Sequence, residues 1–275
     1  MGSPGAKEMI LKSVIKNLTP LWVVDCLRLL RSVLLLGKYH RKMAGPASYI
    51  DDSDRWAYLL FKGKAHLIAA ALRDRTFEWD RLDDKLFRKL SEVIPSGRQG
   101  CLFNQGNRAL RVRSQVNFLA SIVKATQPKR ILEIGTYTAL FCYAMHLCND
   151  SVTIDTFGDL PESQKAVDLL NVTSGPYIRY HLGDSRETLR VFSPGYRIDF
   201  AWVDGGHSYT VCLSDLTQCK RLGIPFIAVD DYKWSLTVRE AVKDFLAEGS
   251  YAIEKVSDLL DYRGIAFITN RSANG

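Results

Sequence analysis

Two short runs concentrate the groups that could do chemistry. Residues 203–209 read V-D-G-G-H-S-Y and residues 229–234 read V-D-D-Y-K-W. If the two runs are spatial neighbours, Asp204, Asp230 and Asp231 crowd three carboxylates into one cleft. Like charges so placed repel and raise each other's pKa. A hard divalent cation removes that conflict, and all-oxygen ligands suit magnesium, manganese or calcium rather than zinc. His207 follows Asp204 by three residues on a glycine turn, so its imidazole is placed to take a proton in the same cleft. Plainer readings compete. D-G-G is ordinary turn chemistry, one of Asp230 and Asp231 could cap a helix, and a lone histidine can be incidental.

A third run, residues 133–139, reads E-I-G-T-Y-T-A. Gly135 allows a sharp turn and a close backbone approach to a ligand, and the helix that follows presents its first N–H groups there. A dinucleotide site would want G-x-G-x-x-G, but Tyr137 stands at the second glycine position. That argues against NAD and for a ligand that presses no phosphate on this turn. Twenty residues beyond Gly135, Asp155 is expected late in the next strand, where an acid can accept from both ribose hydroxyls. Asp159 takes that place if the strand runs longer. Gly183-Asp184-Ser185 reads as a tight turn opening a helix. Its carboxylate could meet an adenine amino group, or it could be a plain helix N-cap.

These residues need elements to hold them, and from residue 128 onward short β-rich runs alternate with helical ones. Strands are expected at 129–135, 151–156, 177–182, 198–203, 225–229, 251–256 and 264–269. Helices are expected at 140–147, 162–171, 185–192, 209–221 and 236–247. Such alternation predicts a Rossmann-like, doubly wound α/β fold with a mostly parallel seven-stranded sheet. No helix fits between the final two strands, so the last strand should run antiparallel. In open α/β sheets ligands bind beyond the carboxyl ends of the strands, which is where all three runs fall.

Residues 1–110 read as a helical N-terminal region and 111–275 as the α/β domain. The stretch 21–36 carries Asp25, Arg28 and Arg31 on a broad apolar helix, followed by Lys38, Arg41 and Lys42. Those charges make it a poor membrane span. It could instead pack on the domain or on a second copy of the chain, or lie on an anionic membrane surface through residues 21–42. Further helices are expected at 54–72, 81–93 and 112–125. A glycine-rich loop at 96–107, with Asn104, Gln105 and Arg108 at its end, is a candidate lid.

The composition is that of an ordinary globular protein: 275 residues, 47% hydrophobic and 24% charged, which excludes disordered, collagen-like and coiled-coil classes. Lys+Arg 37 against Asp+Glu 30 gives +7, an excess too modest to point to nucleic acid. Six cysteines, at positions 26, 101, 142, 148, 212 and 219, form no C-x-x-C, so neither a zinc ribbon nor a thioredoxin-type site is signalled. Their pattern fits reduced core thiols and a cytoplasmic protein, with the inner face of the membrane as the alternative location.

At this point the sequence resembles the class I S-adenosylmethionine-dependent methyltransferases. L-E-I-G-T-Y-T is similar to the first motif of the caffeoyl-CoA and catechol O-methyltransferase group, and the resemblance covers about residues 115–270. It implies that Glu133, Gly135, Thr136 and Tyr137 hold the methionine part of the cofactor. By the same resemblance Asp155 holds the ribose, Asp184 with Ser185 the adenine, and Asp204 borders the cofactor. Ala139 stands where that group has glycine, and alanine is acceptable at a helix start. D-G-G-H-S-Y with the following Asp215, then V-D-D-Y-K-W and V-R-E-A-V-K-D-F, resembles the macrocin-type sugar O-methyltransferases. That resemblance implies a magnesium site at Asp204, Asp230 and Asp231 and a general base at His207. Gly206 stands where other relatives carry an aspartate base, so only the histidine version applies.

The expected activity is therefore metal-assisted O-methylation of a hydroxyl on a sugar or similar small polyol. A metal bound to that oxygen would lower its pKa and fix its orientation. Tyr209, Tyr232 and Trp234 could line an acceptor pocket or simply pack. The competing class is a non-catalytic binding module held at a membrane or partner by the N-terminal helix.

Overall fold

A computed structural model describes residues 110–175, 177–257 and 263–271, with scattered residues between 76 and 93. The chain divides into two compact units, one of residues 1–73 and 107–113, the other of residues 74–106 and 114–275. The first unit lies outside the described residues except for the opening turn of the helix at 110. The amphipathic stretch 21–42, the helix expected at 54–72 and the candidate lid at 104–108 also lie outside them. Among the described residues no helix is long and apolar enough to cross a membrane.

The elements follow in the order α1 (Leu110–Thr126), β1 (Arg130–Ile134), α2 (Leu140–Cys148), β2 (Thr153–Gly158), α3 (Ser163–Ser174), β3 (Ile178–Leu182) and α4 (Ser185–Val191). Then come β4 (Phe200–Val203), α5 (Tyr209–Arg221), β5 (Phe226–Val229), α6 (Leu236–Ala247), β6 (Tyr251–Val256) and β7 (Ala266–Asn270). The seven strands form one sheet in the order β3-β2-β1-β4-β5-β7-β6. β1 through β5 pair in parallel, and β7 is antiparallel to both of its neighbours. This is the expected Rossmann-like doubly wound sheet with its reversed last strand. The order reverses at β1, which pairs with β2 on one side and β4 on the other, so a crevice opens between the tips of β1 and β4.

The central strands are apolar on both sides because helices cover both faces. β4 is buried at every position, and β1 at all but its first. On one face Leu132, Ile134, Ala201, Val203, Ile227 and Val229 pack against Leu216 of α5 and Val242 and Phe245 of α6. The alternation of a strand sends Glu133 and Trp202 to the opposite face, towards α1 and α2.

β2, β4 and β7 each start two residues later than their sequence patterns predict. β2 begins at Thr153 because Asn149 closes a turn, its Oδ1 accepting from the backbone N–H and hydroxyl of Ser151. β4 begins at Phe200 because the Asp199 carboxylate accepts from the N–H groups of Lys129 and Arg130, at 2.9 and 3.0 Å. Helix starts follow their caps. Ser208 accepts from Val211 N–H to open α5, and Ser235 accepts from Val238 N–H to open α6. The first turn of α2 is different. Its N-cap Ala139 is left-handed at φ 55°, as is Tyr137 at φ 42°, so Ala139 sits not in the helix start but in a conformation glycine would favour. All four described cysteines, Cys142, Cys148, Cys212 and Cys219, are free thiols.

Candidate active site

A cleft of about 590 Å³, partly open to solvent, lies beside the tips of β1 and β4 on the α1–α2 side of the sheet. Gly135 makes its floor possible. Its φ is +107°, and a Cβ there would stand 2.0 Å from the Asp204 carbonyl oxygen. The turn after β1 therefore lies directly on the exit of β4, a packing no side chain would permit. The N–H groups of Gly135 and Thr136 both donate to Phe157 O, at 2.8 and 3.2 Å, which ties the same turn to β2.

Glu133 sits at the inner end of the cleft, 1% exposed. It accepts from Cys142 Sγ at 2.9 Å and from the Thr156 hydroxyl. Thr156 also bonds Thr136 Oγ1 at 2.6 Å, which links the acid to the turn. Burial pushes the Glu133 carboxyl up to about 7 against the pull of those two hydrogen bonds. Trp202 and Phe141 stack at 5.3 Å between centroids and form an aromatic wall. Tyr137, Thr138 and Asp204 complete the rim. Among the lining residues the charged ones are Glu133 and Asp204, both acids.

At the tips of β4 and β5 the structure brings Asp204, His207 and Asp231 together. One ligand atom from each lies within 4.8 Å of the others. His207 Nε2 stands 2.7 Å from Asp231 Oδ2, and Arg263 Nη1 stands 3.5 Å from Asp231 Oδ1. Asp231 is fully buried, and neither of its oxygens accepts a hydrogen bond of good geometry. The pairing with Asp231 raises the His207 pKa above its ordinary 6.5, against the opposing effect of burial. Asp231 has a left-handed backbone, φ 59°, and the turn it makes sets Asp230 and Asp231 apart. Asp230 is buried, its N–H donates to Val203 O, and it is not one of the three residues that converge.

The other residues singled out by sequence fall as follows. β2 runs to Gly158, so Asp155 is its third residue and pairs in register with Leu132 and Arg179. That register puts Asp155 on the face opposite Glu133. Its carboxylate accepts from Arg179 at 2.9 and 3.0 Å, from Tyr196 OH at 2.6 Å, and lies 3.0 Å from His181 Nε2. Burial pushes this carboxyl up, but the hydrogen bonds from His181, Tyr196 and Arg179 outweigh it and hold the pKa below the ordinary value. Asp159 is the first residue past the strand and is exposed. Next to it, a Cβ on Gly158 would meet Thr136 Oγ1 at 3.0 Å, so the tip of β2 abuts the turn after β1. Asp184 caps α4, accepts from Arg186 N–H at 2.9 Å and pairs with the Arg186 guanidinium, which lowers its pKa. Ser185 opens that helix.

Sequence reasoning missed Gln115, Trp202, Phe141 and Arg263. An alternating strand and an i, i+3, i+4 helix face carry a weak signal for the first three. Arg263 lies 32 positions after Asp231 and carries none.

Residues 132–232 match the family model described as a methyltransferase domain. Many solved structures share the fold, among them the following three. A Podospora anserina methyltransferase bound to SAH is 16% identical, with a TM-score of 0.54, over 76% of this chain and 96% of that one. A Bacillus cereus O-methyltransferase in complex with SAH is 13% identical, with a TM-score of 0.54, over 70% and 93%. TomG, an O-methyltransferase of Streptomyces achromogenes involved in tomaymycin synthesis and solved with SAM, is 16% identical, with a TM-score of 0.52, over 69% and 91%. No sequence of a curated protein matches.

Proposed function

From the premise that the chain carries a methyltransferase domain over residues 132–232, we propose that it transfers the methyl group of S-adenosylmethionine to a hydroxyl of a sugar or similar small molecule. The observation that carries this reading is the charge of the cleft: its charged lining residues are acids, and an aromatic wall stands beside them. S-adenosylmethionine is cationic at its sulfonium and its ammonium, so this lining suits it. Aromatic faces also attract cations. A pyrophosphate would meet Glu133 and Asp204 as like charges, which disfavours a nicotinamide cofactor.

In this reading Glu133 receives the ammonium, and the turn 135–137 holds the methionine part. Asp159, at the tip of β2, is placed for the ribose hydroxyls better than Asp155, whose carboxylate is already occupied by Arg179, Tyr196 and His181. Asp184 and Ser185 border the adenine end. The acceptor hydroxyl lies against His207. Asp231 orients that ring from its Nε2 side and leaves Nδ1 to take the proton. Bound there, S-adenosylmethionine would supply the methyl group and leave as a neutral thioether, and His207 Nδ1 would take the proton that the acceptor hydroxyl gives up.

The donor set Asp204, His207 and Asp231 also fits a divalent ion, which would lower the acceptor pKa when bound. One nitrogen among the donors moves the preference from magnesium or calcium towards manganese. In that complex His207 would be a ligand, and the proton would need another acceptor. Calorimetry with S-adenosylmethionine, followed by methyl transfer to sugar acceptors with and without a chelator, tests both points. Binding of the cofactor is expected, and its absence would sink the reading. Turnover that survives the chelator but drops roughly a hundredfold or more in His207→Ala supports the base. Turnover abolished by the chelator supports the ion.

A further inference from the structure

Asp231 is a fully buried carboxylate whose oxygens lack hydrogen bonds of good geometry, and it faces an imidazole on one side and a guanidinium on the other. His207 takes one side at 2.7 Å. Arg263, from the segment just before β7, takes the other at 3.5 Å. Arg263 is held there by more than this charge. Its guanidinium lies over the Trp234 ring, 5.2 Å from the centroid, and Trp234 meets the His207 ring edge-on at 6.1 Å. Its backbone carbonyl accepts from the N–H groups of Lys233 and Trp234, at 2.7 and 3.0 Å. The next residue, Gly264, accepts from Tyr232 N–H at 2.8 Å. A Cβ on Gly264 would stand 2.4 Å from Lys233 Cγ, so glycine is what allows the two segments to lie this close. The side chain of Arg263 is 22% exposed, far drier than a surface arginine.

We propose that Arg263 is an internal counter-ion for the Asp204–His207–Asp231 cluster, so that a divalent cation binds there only in competition with its guanidinium. The inference rests on reading that cluster as a possible ion site. The physical ground is simple. A buried carboxylate needs a compensating cation, and a fixed guanidinium supplies one that cannot diffuse away. The same positive charge repels a dication brought to the other oxygens of the cluster. A unit positive charge about 6 Å from a dication costs about tenfold in affinity even at the dielectric of water, and more in a drier site.

The test uses the full chain and manganese alone, read by electron paramagnetic resonance or calorimetry without cofactor or acceptor. Arg263→Met keeps the apolar stem over Trp234 and removes the charge. Arg263→Lys keeps the charge but not the planar stack. Manganese is expected to bind Arg263→Met at least tenfold more tightly than wild type, with Arg263→Lys close to wild type. The gain should vanish in Arg263→Met/Asp231→Asn, which places the ion at the cluster. Equal or weaker binding by Arg263→Met overturns the proposal, and so does absence of manganese binding in every variant. If Arg263→Met fails to fold, wild-type affinity retained in Arg263→Gln overturns it in the same way. Because the readout needs neither S-adenosylmethionine nor turnover, its failure is distinct from a failure of the proposed activity.

Discussion

Replacing Asp215 with Asn should stabilise the protein far more at pH 8 than at pH 5. Asp215 lies on α5, is 1% exposed, and neither of its carboxylate oxygens has a hydrogen-bond partner. A Cβ on Gly205 would come 3.3 Å from its Oδ2, so the acid lies immediately behind the loop that carries His207. Burial pushes its carboxyl from the ordinary 3.8 up to about 7, against a lowering interaction with Ser185. The unfolded chain gives up this proton near 3.8, whereas the folded protein holds it until about 7. Between those values the native state binds more protons, so stability falls as pH rises. The full cost is about 4 kcal/mol, with about 3 kcal/mol of it incurred between pH 5 and 8. Water reaching the carboxylate would reduce that figure, so it is a ceiling. Asparagine keeps the shape and cannot ionise. Urea denaturation of both proteins at pH 5, 6, 7 and 8 should show the difference in ΔG opening with pH in favour of Asp215→Asn. Two curves that run parallel across this range would refute the argument, because they would mean that Asp215 titrates alike folded and unfolded.

Glu133, held near 7 by burial, must ionise to receive an ammonium, so cofactor binding should release a proton at pH 6. Affinity for S-adenosylmethionine should rise about tenfold from pH 6 to pH 8, and Glu133→Gln should flatten that profile as read by calorimetry in buffers of different ionisation enthalpy. Asp159→Asn should weaken cofactor binding about tenfold or more without changing thermal stability. Asp155→Asn should do the reverse, lowering the melting temperature by disturbing Arg179, Tyr196 and His181 while cofactor affinity holds. Comparing the two variants by calorimetry and thermal denaturation decides which acid serves the ribose.

Local pattern made much of this molecule legible. Apolar periodicity and cap residues defined α5 at Tyr209–Arg221, α6 at Leu236–Ala247 and β6 at Tyr251–Val256, all as read from the sequence. The lack of room between the last two strands required β7 to reverse. The turn glycine at 135 and the acids at the tips of β4 and β5 were legible because a parallel sheet sends every strand end to the same edge. Which way each acid faces was not. β2 runs two residues further than its pattern predicts, so that Asp159 is the first residue past its tip, while its register with β1 sets Asp155 beside Leu132 on the face away from Glu133. A left-handed residue at 231 separated two adjacent aspartates that composition treats alike. The guanidinium of Arg263 came to the site from a distant segment, through the pairing of β7 with β5. Sequence by itself determined the elements and their order, because those depend on neighbours along the chain. Tertiary structure decided the partners of each charge, because a buried charge is governed by whatever the folded sheet sets beside it.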